Sequence, residues 1–228
     1  MRLSDLREKY CNSPKRPKRL RFFDELSAEA QEYAIFSERE NGERFDWDDA
    51  QFLTEDFKMQ LAEYGFEGLE VYWSLGYCQG DGVAFYGNVD NENLKDKDRQ
   101  AEKLINRLEA AGDEISIEIT GKHGHYHHWN SMSVEIDYES ETDEEDLPSR
   151  LKIAHPVWRE SLDGYLDEKV KEISRELEKC GYAEIEYRHS DEIIRQELIE
   201  RGNLYEKDGI LAMSESEVAG WKKQNLQF

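Results

Sequence analysis

Apolar residues recur along this chain at two alternating periods, and the switches between them mark its elements. Ser27-Ala-Glu-Ala precedes apolar positions at Ala30, Tyr33, Ala34 and Ile35, the signature of a capped helix start. Phe52, Leu53, Phe57, Leu61 and Tyr64 predict a second helix over about 48–64, stopped by Gly65 and Gly68. The period then drops to two. Leu69–Leu75 and Val83–Gly87 read as strands joined by the glycine-rich stretch Gly76–Gly82. Residues 91–111 form a polar segment ending in a helix, with Ala101, Leu104, Ile105 and Leu108 on one face and Gly112 as its stop. Ile115–Ile119 and Met132–Tyr138 alternate strictly and predict a second hairpin. Pro156 is placed to open a long helix to about Cys180, with Val157, Leu162, Tyr165, Leu166, Val170, Ile173 and Leu177 as its stripe and Gly181 as its end. Tyr182–Tyr187 alternates as a strand. Ser190 and Gly202 bracket a short helix over 191–201, and Lys207-Asp-Gly turns a final short hairpin.

Strands thus come in sequential pairs with helices before and after. That order predicts an α+β fold, an antiparallel sheet flanked by helices, and argues against a doubly wound parallel sheet. Residues 22–228 are expected to form a single domain behind an extended, flexible basic arm at 1–21. In the arm Lys15, Arg16, Lys18, Arg19 and Arg21 crowd together while Pro14 and Pro17 block a regular helix.

Composition changes this picture in one respect. With 30 Lys and Arg against 52 Asp and Glu, the chain carries a formal net charge of -22. Its aromatic content of 11 % is enough to carry a core and argues against disorder, so the excess charge is expected on the skin of a folded body. Such a surface repels phosphate backbones and attracts cationic proteins. Direct nucleic-acid contact is therefore disfavoured, except through the basic arm at 15–21. No apolar run approaches the roughly 18 residues of a membrane span. The three cysteines are odd in number and have no CxxC spacing, which disfavours a disulfide framework and fits a reducing cytoplasm.

Three groups of residues can carry chemistry. The first is Gln79-Gly-Asp81-Gly with its neighbours Trp73 and Tyr77. Its glycines allow close backbone approach, and Asp81 either orients a ligand or caps its own turn. The ending of a P-loop is missing. The second is the histidine-rich hairpin tip. His123, His125 and His127 share a strand face and could bind a transition metal, while Tyr126 and His128 could join Asp81 in a ligand pocket; the absence of a nearby Cys and of HExxH leaves the chain without an assigned metal or cofactor. The third is acidic: Glu135, Asp137 and Glu139 alternate along one strand face and run into Glu141, Asp143, Glu144, Glu145 and Asp146. Alternate carboxylates about 6.5–7 Å apart approximate the phosphates along one DNA strand. They serve either as a DNA-mimicking surface or as charge guarding an edge.

The segment Trp73-Ser-Leu-Gly-Tyr-Cys-Gln-Gly-Asp-Gly-Val-Ala-Phe-Tyr-Gly resembles a motif of uncharacterised phage and mobile-element proteins, some labelled antitoxin-like. The resemblance extends to Phe23–Gln31, to Gly124-His-Tyr-His-His with Glu135, and to Ser190-Asp-Glu. Tyr126 and His128 fit that family's pattern, whereas His123, His125 and His127 are not required by it. The resemblance implies a genomic setting and no reaction. Taken together, the readings point to a non-enzymatic cytoplasmic protein that blocks a basic, nucleic-acid-handling host protein, in counter-defence of the anti-CRISPR kind or in toxin neutralisation. The alternatives are an enzyme or nucleotide binder built on Trp73, Tyr77, Gln79, Asp81, Tyr126 and His128, and a phage assembly factor.

Overall fold

A computed structural model describes residues 20–41, 47–121, 126–140, 148–217 and 219. The chain divides into two compact units, residues 47–184 and residues 1–46 with 185–228. Both sheets among the described residues are antiparallel and helices lie on either side of them in sequence, so the fold is α+β.

In the smaller unit β1 (Arg21–Phe22), α1 (Ala28–Asn41), α6 (Asp191–Arg201), β6 (Leu204–Tyr205) and β7 (Leu211–Met213) surround one apolar cluster. Its members include Phe23, Ala34, Ile35, Ile194, Leu198 and Tyr205. The three strands pair in the order β1-β6-β7. Tyr33, expected on the inner face of α1, is exposed. Arg21 belongs to β1, while Lys15, Arg16, Lys18 and Arg19 of the arm lie outside the described residues. Ser190 accepts from the Ile193 N–H to start α6, and Gly202 ends it in the left-handed conformation at φ 63°.

The larger unit holds a four-stranded sheet in the order β2-β3-β4-β5. Its strands are β2 (Glu70–Ser74), β3 (Gly82–Val89), β4 (Asp113–Gly121) and β5 (Met132–Ser140). Around the sheet lie α2 (Trp47–Glu63), α3 (Asn91–Lys97), α4 (Arg99–Glu109) and α5 (Ser149–Arg188), the last continuing beyond the unit. The polar segment before Gly112 is two helices because Asp98 interrupts it. Its carboxylate accepts from the N–H groups of Gln100 and Ala101, as that of Asp90 does from Glu92 and Asn93. Val83, Phe85, Ile117 and Ile119 point to one face of the sheet and are buried with Phe57, Leu61, Leu108, Leu166, Ile173 and Leu177 from the helices. Phe52, expected in that core, is exposed on α2.

Four expectations fail on α5, for reasons beyond local pattern. The helix begins at Ser149, so Pro156 lies inside it and not at its opening. Proline cannot donate to the carbonyl of Lys152 and costs about 3 kcal/mol in a helix interior. The loss is offset by the buried carboxylate of Asp113, which bonds His155 Nε2 at 2.7 Å, Arg159 Nε at 3.1 Å and Arg159 Nη2 at 2.6 Å. Val157, placed on the stripe by spacing, is exposed, and His155 is buried in the first part of the helix. Gly181 does not stop the helix, and Tyr182–Tyr187 is helix and not strand. A Cβ on Gly181 would lie 2.4 Å from Leu75 Cδ1 and 2.9 Å from Phe57 Cζ. The glycine therefore serves close packing, and the helical ladder passes straight through it.

Candidate functional site

The glycine-rich connection between β2 and β3 folds around one carboxylate. Asp81 Oδ1 accepts from the Ser74 hydroxyl at 2.8 Å, and Oδ2 accepts from the N–H groups of Gly76 and Cys78 at 2.7 and 2.6 Å and from the Tyr182 hydroxyl at 3.3 Å. Burial pulls the Asp81 carboxyl upward, but the Cys78 N–H, the Ser74 hydroxyl and the Gly76 N–H outweigh it and hold it below the ordinary value. Tyr77 is held at φ 58°, unusual for an aromatic residue, with its ring 4.6 Å from that of Tyr182. Asp81 is thus a turn organiser whose oxygens are occupied by its own loop and by α5.

The structure does bring this loop to the histidine hairpin. The His127 N–H donates to Gly80 O at 3.3 Å. A Cβ on Gly80 would fall 1.9 Å from Tyr126 Cδ1, and one on Gly82 would fall 2.7 Å from His127 O. Gly80 is needed because the Tyr126 ring lies directly over it, and Gly82 because the backbone of His127 and His128 does. The side chains divide, however. His128 Nδ1 accepts the Asn130 N–H at 3.1 Å and caps a single turn of 3-10 helix, while the Tyr126 ring and Gln79 are exposed. Trp73 lies on the opposite face of β2, where its indole N–H donates to Thr54 Oγ1 at 2.9 Å and its ring meets Phe57 edge-on. Trp73 is therefore not grouped with Asp81 and His128, because adjacent strand positions point to opposite faces. His123 and His125 lie outside the described residues, and His127 stacks on Tyr72 at 5.8 Å. Among the described residues no three His, Cys, Asp or Glu side chains form a group able to hold a metal ion.

The outer face of the sheet carries the largest chemical feature. Register pairs Glu114 with Glu139, Ser116 with Asp137, Glu118 with Glu135 and Thr120 with Ser133. All five acidic side chains are exposed. Opposed residues on an antiparallel pair have Cβ atoms about 4.5–5.5 Å apart, and like charges so placed destabilise the sheet. Two rungs of the ladder consist of such pairs, and no cation pairs with any of the five carboxylates among the described residues. The hydroxyl of Thr120 donates to Glu135 Oε1 at 2.8 Å. Beside the carboxylates the same face carries the Tyr72–Tyr86 ring contact at 5.7 Å. Glu135, Asp137 and Glu139 thus share a face as their spacing predicts, while Glu141, Asp143, Glu144, Glu145 and Asp146 lie outside the described residues. Glu114 and Glu118 are the additions. Their alternation with Ile115, Ile117 and Ile119 already put them on the polar face, and only the register set them opposite β5.

The model of the family described as Domain of unknown function (DUF8835) matches residues 47–193, more than half of the chain. The chain belongs to DUF8835. No curated protein and no solved structure matches it. The DUF8835 segment starts at Trp47, the first residue of the larger unit, and so contains the sheet, the Asp81 loop and the carboxylate ladder. Phe23–Gln31 lies outside the DUF8835 segment, and Ser190-Asp-Glu lies inside it. No helix among the described residues is long and apolar enough to cross a membrane.

Proposed function

We propose that the protein is a non-enzymatic binding protein whose acidic sheet face occupies the nucleic-acid groove of a basic, nucleic-acid-handling protein and blocks it. The carrying observation is the two-stranded ladder of Glu114, Glu118, Glu135, Asp137 and Glu139, in which like charges stand opposite one another and face solvent. An arrangement that costs stability when the protein is alone becomes favourable against arginine and lysine side chains. The net charge of -22 adds long-range attraction to the same class of partner. The resemblance of the Trp73–Gly87 segment to phage and mobile-element proteins supplies the setting, counter-defence or toxin neutralisation inside a host cell.

The test is affinity purification from host lysate with the native chain and with a variant carrying Gln in place of Glu114, Glu118, Glu135 and Glu139. The expected result is a basic nucleic-acid-binding protein retained at low salt, displaced by DNA or RNA, released at high salt, and lost from the variant. Equal recovery by both proteins, or recovery of no basic partner at low salt, overturns the proposal.

A further inference from the structure

The two edges of the large sheet are guarded unequally. On β5 every outer-face position from 135 to 139 is a carboxylate. On β2 the sequence Glu-Val-Tyr-Trp-Ser carries one charge, no lysine and no proline. Charge, lysine and proline are the usual devices that keep another chain from pairing with an edge. Beside β2 lies an open groove of about 650 Å³, walled by α2 and by residues 67–72 and by none from β3. Met59, 61 % exposed, and Tyr72 supply apolar surface along it. Glu55, Glu67 and Glu70 line it against one cation, Lys58, whose ammonium already pairs with Glu55 at 2.8 Å.

We infer that this groove takes an extended basic segment of a partner protein, which adds along β2 as a fifth strand of the sheet. Alternate side chains of an added strand face opposite sides, so a segment alternating apolar with Lys or Arg can meet Met59 and the carboxylates together. The charge balance selects the occupant. A nucleic-acid strand is repelled, and a second copy of this chain would bring another -22 and its own Glu67 and Glu70 to the same edge. The groove is separate from the carboxylate ladder, and either can fail without the other.

The test uses fluorescence anisotropy with the whole chain and a labelled synthetic peptide of alternating Val with Lys or Arg. Two control peptides accompany it, one with alternate backbone amides N-methylated and one with Glu replacing the basic residues. Each control is expected to bind at least tenfold more weakly, since one blocks strand pairing and the other reverses the charge. Met59→Arg places a cation in the groove and is expected to weaken the basic peptide at least tenfold with an unchanged melting curve. The variant with Gln at Glu114, Glu118, Glu135 and Glu139 is expected to retain binding, which separates this site from the ladder. Equal binding of the N-methylated peptide, loss of binding in the ladder variant with retention in Met59→Arg, or no binding of the basic peptide overturns the inference. So does a homodimer in sedimentation that Met59→Arg dissociates.

Discussion

Replacing Asp113 by Asn tests what holds the first turns of α5. The Asp113 side chain is fully buried and binds His155, Arg159 and the Ser140 hydroxyl. Asn has nearly the same shape but removes the charge that His155 and Arg159 face. Breaking a buried ion pair from one side costs about 3–5 kcal/mol. Arg159 is 24 % exposed, and the water that reaches it reduces the expected loss to about 2–4 kcal/mol. For a chain of this size each kcal/mol moves the melting temperature by about 2–4 °C, so a fall of roughly 5–15 °C is expected in a circular dichroism melt. Hydrogen exchange is expected to locate the loss at residues 149–155, ahead of Pro156. Burial raises the Asp113 carboxyl, but the Arg159 and Ser140 hydrogen bonds and the nearby His155 outweigh it and hold it below the ordinary 3.8. Its contribution is therefore fully present above that value and fades as pH falls toward Asp113's own lower one. The native chain and the variant should converge in acid and diverge near neutrality. A variant that melts within 2 °C of the native chain at neutral pH, with unchanged exchange over 149–155, would refute this account (2 °C being roughly 1 kcal/mol or less).

Two further substitutions test the packing around the loop. Gly181→Ala gains about 1 kcal/mol of helix propensity but drives a methyl into Leu75 and Phe57, a strain of about 1–3 kcal/mol. A lower melting temperature is expected, and a higher one would show that the helix has room to shift. Asp81→Ala removes the acceptor shared by Ser74, Gly76, Cys78 and Tyr182, and a loss of about 2 kcal/mol is expected, with new protease cleavage between residues 75 and 82. An uncut loop at unchanged stability would mean that the hairpin over Gly80 and Gly82 holds it unaided.

The local pattern of this chain determined where most of its elements lie, and with them the α+β class. Helix starts at Ser27 and Ser190, the stop at Gly202, and the alternation of Ile115, Ile117 and Ile119 act over a few residues, so they can be read without knowing what lies opposite. The acidic face of β5 was legible for the same reason. Tertiary contact decided the rest. Pro156 lies inside a helix because Asp113, 43 positions earlier, holds the residues around it. Gly181 marks a close approach by Leu75 and Phe57, although a glycine at that spacing reads as a helix end. The pairing of Glu118 with Glu135 required the register of two strands, and the parting of Trp73 from Asp81 required both the pleat and the path of the loop. Local preferences of about 1 kcal/mol set the periods, but burial of charge and exclusion of a single methyl group are worth several, and they depend on residues that meet only after folding.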